Sequence, residues 1–163
     1  MKDIKEMTRL EIIAELKKYF VFKELVDPSL AEKYKEFSWN FLRTELLANL
    51  LAKRVLIFKV PITVNTYHRG NSSKVFTQRG VRSNLTQEMQ KYIKAGKLYM
   101  SGHQLGAALD YDVQGYTAEE ARKKIMENAD LLPYPERLEV DVTWVHSDCY
   151  NDGSEAKVKL FHP

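Results

Sequence analysis

Residues 101–113 read Ser-Gly-His-Gln-Leu-Gly-Ala-Ala-Leu-Asp-Tyr-Asp-Val. The second half, Ala107 to Val113, reads as a strand, and Lys97 to Met100 before it reads as another. His103 and Asp110 stand seven residues apart, with the small residues Gly106, Ala107 and Ala108 between them. A strand-turn-strand over this stretch would bring the imidazole and the carboxylate to one point.

Upstream the pattern is helical. Thr8 and Glu11 have capping-box spacing, and Leu10, Ile13 and Leu16 follow at helical intervals. Phe22 to Val26 looks extended, and Asp27-Pro28 stops it and starts a short helix. Leu42 to Lys59 is the strongest helix, with Leu46, Leu47, Leu50, Leu51, Val55 and Phe58 forming a broad apolar face. Val60 to Asn65 then reads as a strand opened by Pro61. Residues 66–85 form a polar loop long enough to carry function. A short helix from Leu85 to Ala95 ends at Gly96.

Downstream, Thr117 and Glu120 repeat the capping-box spacing for a helix reaching about Asn128, and Pro133 and Pro135 end that stretch. Arg137 to Asp141, Thr143 to Asp148 and Ala156 to Phe161 alternate as strands, with Asn151-Asp152-Gly153 as a hairpin turn. Helices first and a mainly antiparallel sheet after them define an α+β class. We read residues 1–163 as a single domain, with 1–59 mainly helical and 60–163 carrying the sheet and the site.

Composition narrows the chemistry. Hydrophobic residues make up 44% and charged residues 29%, a globular balance. The formal net charge of +3 is too small to argue for nucleic acid, and none is expected as a partner. The one cysteine, Cys149, excludes an intrachain disulfide and a thiolate zinc cage, and it reads as a small packed hydrophobe. A metal site must be built from carboxylates and the four histidines His68, His103, His146 and His162. His68 reads as a loop residue at the surface, and His162 lies beside the C-terminal Pro163, apart from any metal. His146 lies inside an apolar strand, where an unpaired imidazole is costly. Two imidazoles and one carboxylate leave an open position for water, the makeup of a catalytic rather than a structural zinc site.

The stretch Ser101-x-His103-x-x-Gly106-x-Ala108-x-Asp110, followed by Trp144-Val-His146, resembles the zinc D-alanyl-D-alanine carboxypeptidase-like peptidases. These include D,D-carboxypeptidases, D-Ala-D-Ala dipeptidases and phage endolysins that cut peptidoglycan stem peptides. The likeness spans about Pro61 to His146, and the N-terminal third looks like that of small phage-encoded members. It implies the D-Ala-D-Ala carboxypeptidase or hedgehog-like fold, with Zn²⁺ held by His103, Asp110 and His146. The family also carries an arginine and an asparagine in a loop after an early strand. By similarity Arg82, with Arg79 and Asn84, is expected to bind a substrate carboxylate or the scissile carbonyl, beside Ser101.

One position departs from the family. Its members place a catalytic acid three residues before the last histidine, where this chain has Thr143. That acid takes the proton of the attacking water and passes it to the leaving amine. Asp141 becomes the candidate if a turn at Val142 presents it to the metal, with Glu139 and Asp148 as alternatives.

The function implied is a zinc-dependent D,D-carboxypeptidase or endopeptidase acting on peptidoglycan. The alternative is a phage virion protein, a tail or neck component, that reuses the fold and whose partners are other phage structural proteins. The N-terminus is charged and amphipathic without the apolar core of a signal peptide, and no stretch is apolar enough to span a bilayer. The expectation is therefore a protein made in a host cytoplasm that acts at the wall after release, or one carried in the virion.

Overall fold

A computed structural model describes residues 2–71, 73–150 and 155–162. Among these residues six α-helices and five strands alternate with short 3₁₀ and π turns, and the class is α+β. The helices are α1 (Arg9–Leu16), α2 (Phe22–Leu25), α3 (Pro28–Tyr34), α4 (Thr44–Ala52), α5 (Gln87–Lys94) and α6 (Ala118–Glu127). The strands are β1 (Ile62–Thr63), β2 (Ala108–Val113), β3 (Glu136–Glu139), β4 (Val145–Asp148) and β5 (Val158–Phe161). Among the described residues no helix is long and apolar enough to cross a membrane.

Local chemistry explains the helix ends. At α1 and α6 the Thr8 and Thr117 hydroxyls accept from the N–H groups of Glu11 and Glu120, whose carboxylates accept from the threonine N–H groups in return. Asp27 caps α3 by accepting from the N–H groups of Ser29 and Leu30, with Pro28 in the first turn. Leu46, Leu47, Leu50 and Leu51 of α4 are buried against α1 and the inner face of the sheet.

Four segments differ from their sequence reading. Phe22–Leu25 is a helical turn rather than extended, because the Glu24 carboxylate takes the Val21 N–H that begins it. The helix expected to reach Lys59 is α-helical only to Ala52 and continues as a π turn over Lys53–Phe58, ending at left-handed Lys59. Residues 97–100 form no strand; Tyr99 instead stacks on Tyr92 of α5 at 4.1 Å between ring centres. The strand expected over Val60 to Asn65 is regular only at Ile62–Thr63.

The sheet order is β1-β2-β4-β3-β5. The β1–β2, β2–β4 and β4–β3 pairings are antiparallel, as the mainly antiparallel expectation required, while β3 and β5 run parallel. The hairpin turn expected at Asn151-Asp152-Gly153 lies outside the described residues. The two strands that flank it are separated in the sheet by β3.

Alternation along each strand gives the sheet two faces. Leu109, Tyr111, Leu138 and Val145 point into the core. Lys53, on the π turn, reaches the same face and pairs with Glu136 at 2.7 Å and with the Ser147 hydroxyl at 3.0 Å, all of them buried. Asn49 of α4 adds a hydrogen bond to Glu136 at 3.1 Å. Asp110, Arg137, Glu139, His146 and Asp148 occupy the opposite face.

Candidate metal centre

The register of β2 against β4 sets Asp110 directly opposite His146. Both side chains leave the sheet on the same face, and the Asp110 Oδ1 to His146 Nδ1 distance is 2.7 Å. His103 arrives from the turn before β2, with its Nε2 3.3 Å from Asp110 Oδ2. Donor atoms of His103, Asp110 and His146 all lie within 4.8 Å of one another. Among the described residues this trio is the cluster of imidazoles and carboxylates that can hold a metal ion. The expected strand-turn before Asp110 is thus a turn followed by a strand. Gly106 makes it possible: its φ is +63°, and a Cβ there would lie 1.8 Å from the Phe41 carbonyl oxygen.

Each imidazole has its outer nitrogen engaged. His103 Nδ1 donates to the Gly80 carbonyl at 2.9 Å, which turns Nε2 toward Asp110. His146 Nε2 faces Asp148 Oδ2 at 3.5 Å, and Arg137 holds Asp148 by two hydrogen bonds of 2.9 Å. A ring whose far N–H meets a carbonyl or carboxylate is oriented and made a stronger donor toward a cation. The residues present therefore fit a metal ion.

Without a cation the site balances its own charge. Burial opposes ionisation of Asp110, but hydrogen bonds from His103 and His146 outweigh it and hold the carboxyl well below the usual carboxylate range. Burial likewise disfavours the charged form of His146, yet its hydrogen bonds to Asp110 and Asp148 push it up to about 9. Asp148 is lowered because His146 and Arg137 together overcome its burial.

The trio opens into a cavity of about 500 Å³ whose wall includes Ser101, Tyr99, Trp144, Tyr150 and Phe161. A second lobe of about 730 Å³ shares Arg82, Asp110 and Trp144 with the first and extends past Phe76, Arg79 and Thr143. The expected residues divide as follows. Arg82 reaches Asp110 Oδ2 at 3.1 Å and also pairs with Glu88. Arg79 lines the second lobe, stacked 3.4 Å above the Phe76 ring and paired with Asp112 at 2.6 Å. Asn84 is exposed outside both lobes, and its carbonyl accepts from Gln90. Ser101 lines the first lobe, where its N–H donates to the Gln104 side chain.

The acids divide too. Asp141 is carried away from the trio: it adopts φ +63° and pairs with exposed His162 at 2.8 Å. The turn at Val142 aims it outward, not toward His146. Glu139 lines the first lobe, and its Oε2 lies 3.8 Å from His146 Nδ1, the nitrogen that faces Asp110. Asp148 stands on the opposite side of that ring and is occupied by Arg137.

Glu88, Arg137, Tyr150 and Phe161 were not among the expected site residues. Arg137 and Glu139 are two apart on β3, so a period-two reading joined to the Glu139 expectation was the available signal. Nothing local marks Glu88 or Tyr150. Compared with family models, with curated proteins and with solved structures, the chain matches none.

Proposed function

We propose that the chain is a zinc-dependent D,D-carboxypeptidase or endopeptidase that cleaves peptidoglycan stem peptides. The observation that carries this reading is the convergence of His103 Nε2, Asp110 and His146 Nδ1, with the far nitrogen of each ring engaged. The motif Ser101-x-His103-x-x-Gly106-x-Ala108-x-Asp110 and the later Trp144-x-His146 support the same reading by their resemblance to the D-Ala-D-Ala carboxypeptidase-like fold. In it, His103, Asp110 and His146 hold Zn²⁺, which when bound supplies Lewis acidity toward a water and a carbonyl.

The remaining steps belong to the chain. Arg82, beside Asp110, fits a substrate carboxylate or carbonyl oxygen. Trp144, Tyr150 and Phe161 line the cavity and restrict water around the reacting amide. Glu139 holds the proton released as water oxygen bonds to the carbonyl carbon, and returns it to the amine as the C–N bond breaks. Glu139 replaces Asp141 in that role because its carboxylate is the one turned to the inner side of His146.

The test is digestion of purified peptidoglycan with and without a chelator, with identification of the released peptides. Chelator-sensitive release of stem-peptide fragments supports the reading; intact peptidoglycan beside zinc-loaded protein overturns it. Thr143, standing where the family has its acid, favours a second reading. In that reading the protein is a virion component whose site binds zinc without catalysis, and it assembles into rings detectable by light scattering. Under the first reading the protein is made in the host and acts at the wall after release.

A further inference from the structure

The loop over residues 79–83 touches His103 and Asp110 four times. The Arg79 carbonyl accepts from the Asp110 N–H at 2.8 Å, and the Gly80 carbonyl accepts from His103 Nδ1 at 2.9 Å. The Arg82 N–H donates to the His103 carbonyl at 3.3 Å, and the Arg82 guanidinium meets the Asp110 carboxylate at 3.1 Å. The loop has no helix or strand of its own to hold it beyond a single parallel bridge of Val81 to Val26. Its position is set from the N-terminal helices. The Asp27 N–H donates to the Val81 carbonyl, and the Val81 N–H donates to the Leu25 carbonyl, each at 2.9 Å. Gly80 lies so close to Leu25 that a Cβ would sit 2.1 Å from the Leu25 oxygen.

Two buried side chains complete this attachment: Asn65 Oδ1 accepts from the Arg79 N–H at 2.9 Å at one end of the loop, and Asp27 holds the other. Asp27 is 1% exposed. Its Oδ1 caps α3 through Ser29 and Leu30, while its Oδ2 accepts from the N–H of Ser83. A helix cap needs only the first of these oxygens, and asparagine or serine supplies it as well. The second oxygen ties the far end of the 79–83 loop to the helical layer.

We propose that Asp27 is a positioning residue for the metal centre, acting through residues 79–83 on His103 and Asp110. This inference rests on the reading of that trio as a metal site. Outer partners of metal ligands set ring orientation and donor strength, and their loss weakens metal binding about ten- to hundredfold. Asp27 does so at one remove, by fixing the carbonyl that orients His103.

The experiment uses the full chain with Asp27→Asn, which keeps an oxygen for the cap but offers no second acceptor to Ser83. Asp27→Ser repeats it with a shorter cap should the first variant not fold. Thr8→Ala, which removes the cap of α1, serves as a control for stability loss alone. Zn²⁺ and Co²⁺ affinities are measured by titration, and the His103 ring nitrogens are followed by ¹⁵N NMR in the metal-free protein. The expected result is a loss of affinity of about tenfold in the Asp27 variants, the lower end of the effect of a direct outer partner, with faster solvent exchange of the His103 Nδ1 proton. Thr8→Ala should lower the melting temperature and leave both readouts unchanged. Wild-type affinity together with an unchanged His103 signal in the Asp27 variants overturns the inference. If the wild-type protein takes up neither ion, the metal reading and this inference both fall as statements about a metal. The His103 signal then decides by itself whether Asp27 orients that ring.

Discussion

Asp110 Oδ1 lies 2.7 Å from His146 Nδ1, while the other oxygen of the same carboxylate lies 3.3 Å from His103 Nε2. One carboxylate thus bridges two imidazoles whose outer nitrogens are already engaged. A cation held there would take the place of the proton that His146 Nδ1 shares with Asp110.

Binding should therefore be stoichiometric, with one Zn²⁺ per chain, and His103→Ala, Asp110→Ala or His146→Ala should each weaken it by more than about a hundredfold, beyond the usual effect of an outer partner. Isothermal titration with metal analysis of the dialysed protein checks this. A variant that keeps wild-type affinity would remove that residue from the ligand set.

Metal uptake should depend on pH through His146. Its pKa of about 9 without metal means that a proton must leave before Nδ1 can bind a cation. Apparent affinity should rise about tenfold per pH unit through neutrality and level off near pH 9, with about one proton released per ion. The metal-free protein should show the opposite trend. A histidine whose folded pKa is raised stabilises the fold fully below its unfolded value near 6.5, and this contribution is lost as pH rises through the folded value. Melting temperatures at pH 6 and pH 9, with and without Zn²⁺, test both signs in one set of measurements.

On the proposed reading as a peptidoglycan peptidase, Glu139→Gln should lower hydrolysis by about a hundredfold or more, the usual range for a general acid–base group, while metal affinity stays close to wild type. Asp141→Asn should leave hydrolysis unchanged, because that side chain pairs with His162 at the surface. The reverse pattern in release assays would return the proton-transfer role to Asp141.

Arg137→Leu should weaken metal binding about tenfold, since it frees Asp148 from the two hydrogen bonds that aim it at His146. Competition with a chromogenic chelator measures the change.

On the opposite face of the sheet, Lys53→Met should cost about 3–5 kcal/mol by leaving buried Glu136 without its cation. The double variant Lys53→Met with Glu136→Leu should recover most of that loss, because no uncompensated charge remains. Urea denaturation of the two proteins decides it.

Much of this molecule is legible in its residues. The threonine–glutamate pairs at 8 and 11 and at 117 and 120 start helices because their reciprocal hydrogen bonds are local. The α+β class follows from helical spacing before residue 60 and alternation after it. The pairing of His103 with Asp110 was readable from their spacing and the full trio with His146 from the resemblance, and the fold brings the three together. What required the tertiary structure is non-local. The placement of β3 between β4 and β5 puts Arg137 against Asp148, and strand order is set by pairings between distant segments. The left-handed backbone at Asp141, which turns one acid outward and leaves Glu139 inside, belongs to no local rule for aspartate in an extended segment. The hold of Asp27 on the 79–83 loop joins residues more than fifty positions apart, through backbone groups that every amino acid carries. Side-chain identity thus determined which chemistry the chain offers, and the geometry of long-range backbone contacts decided which of those groups meet.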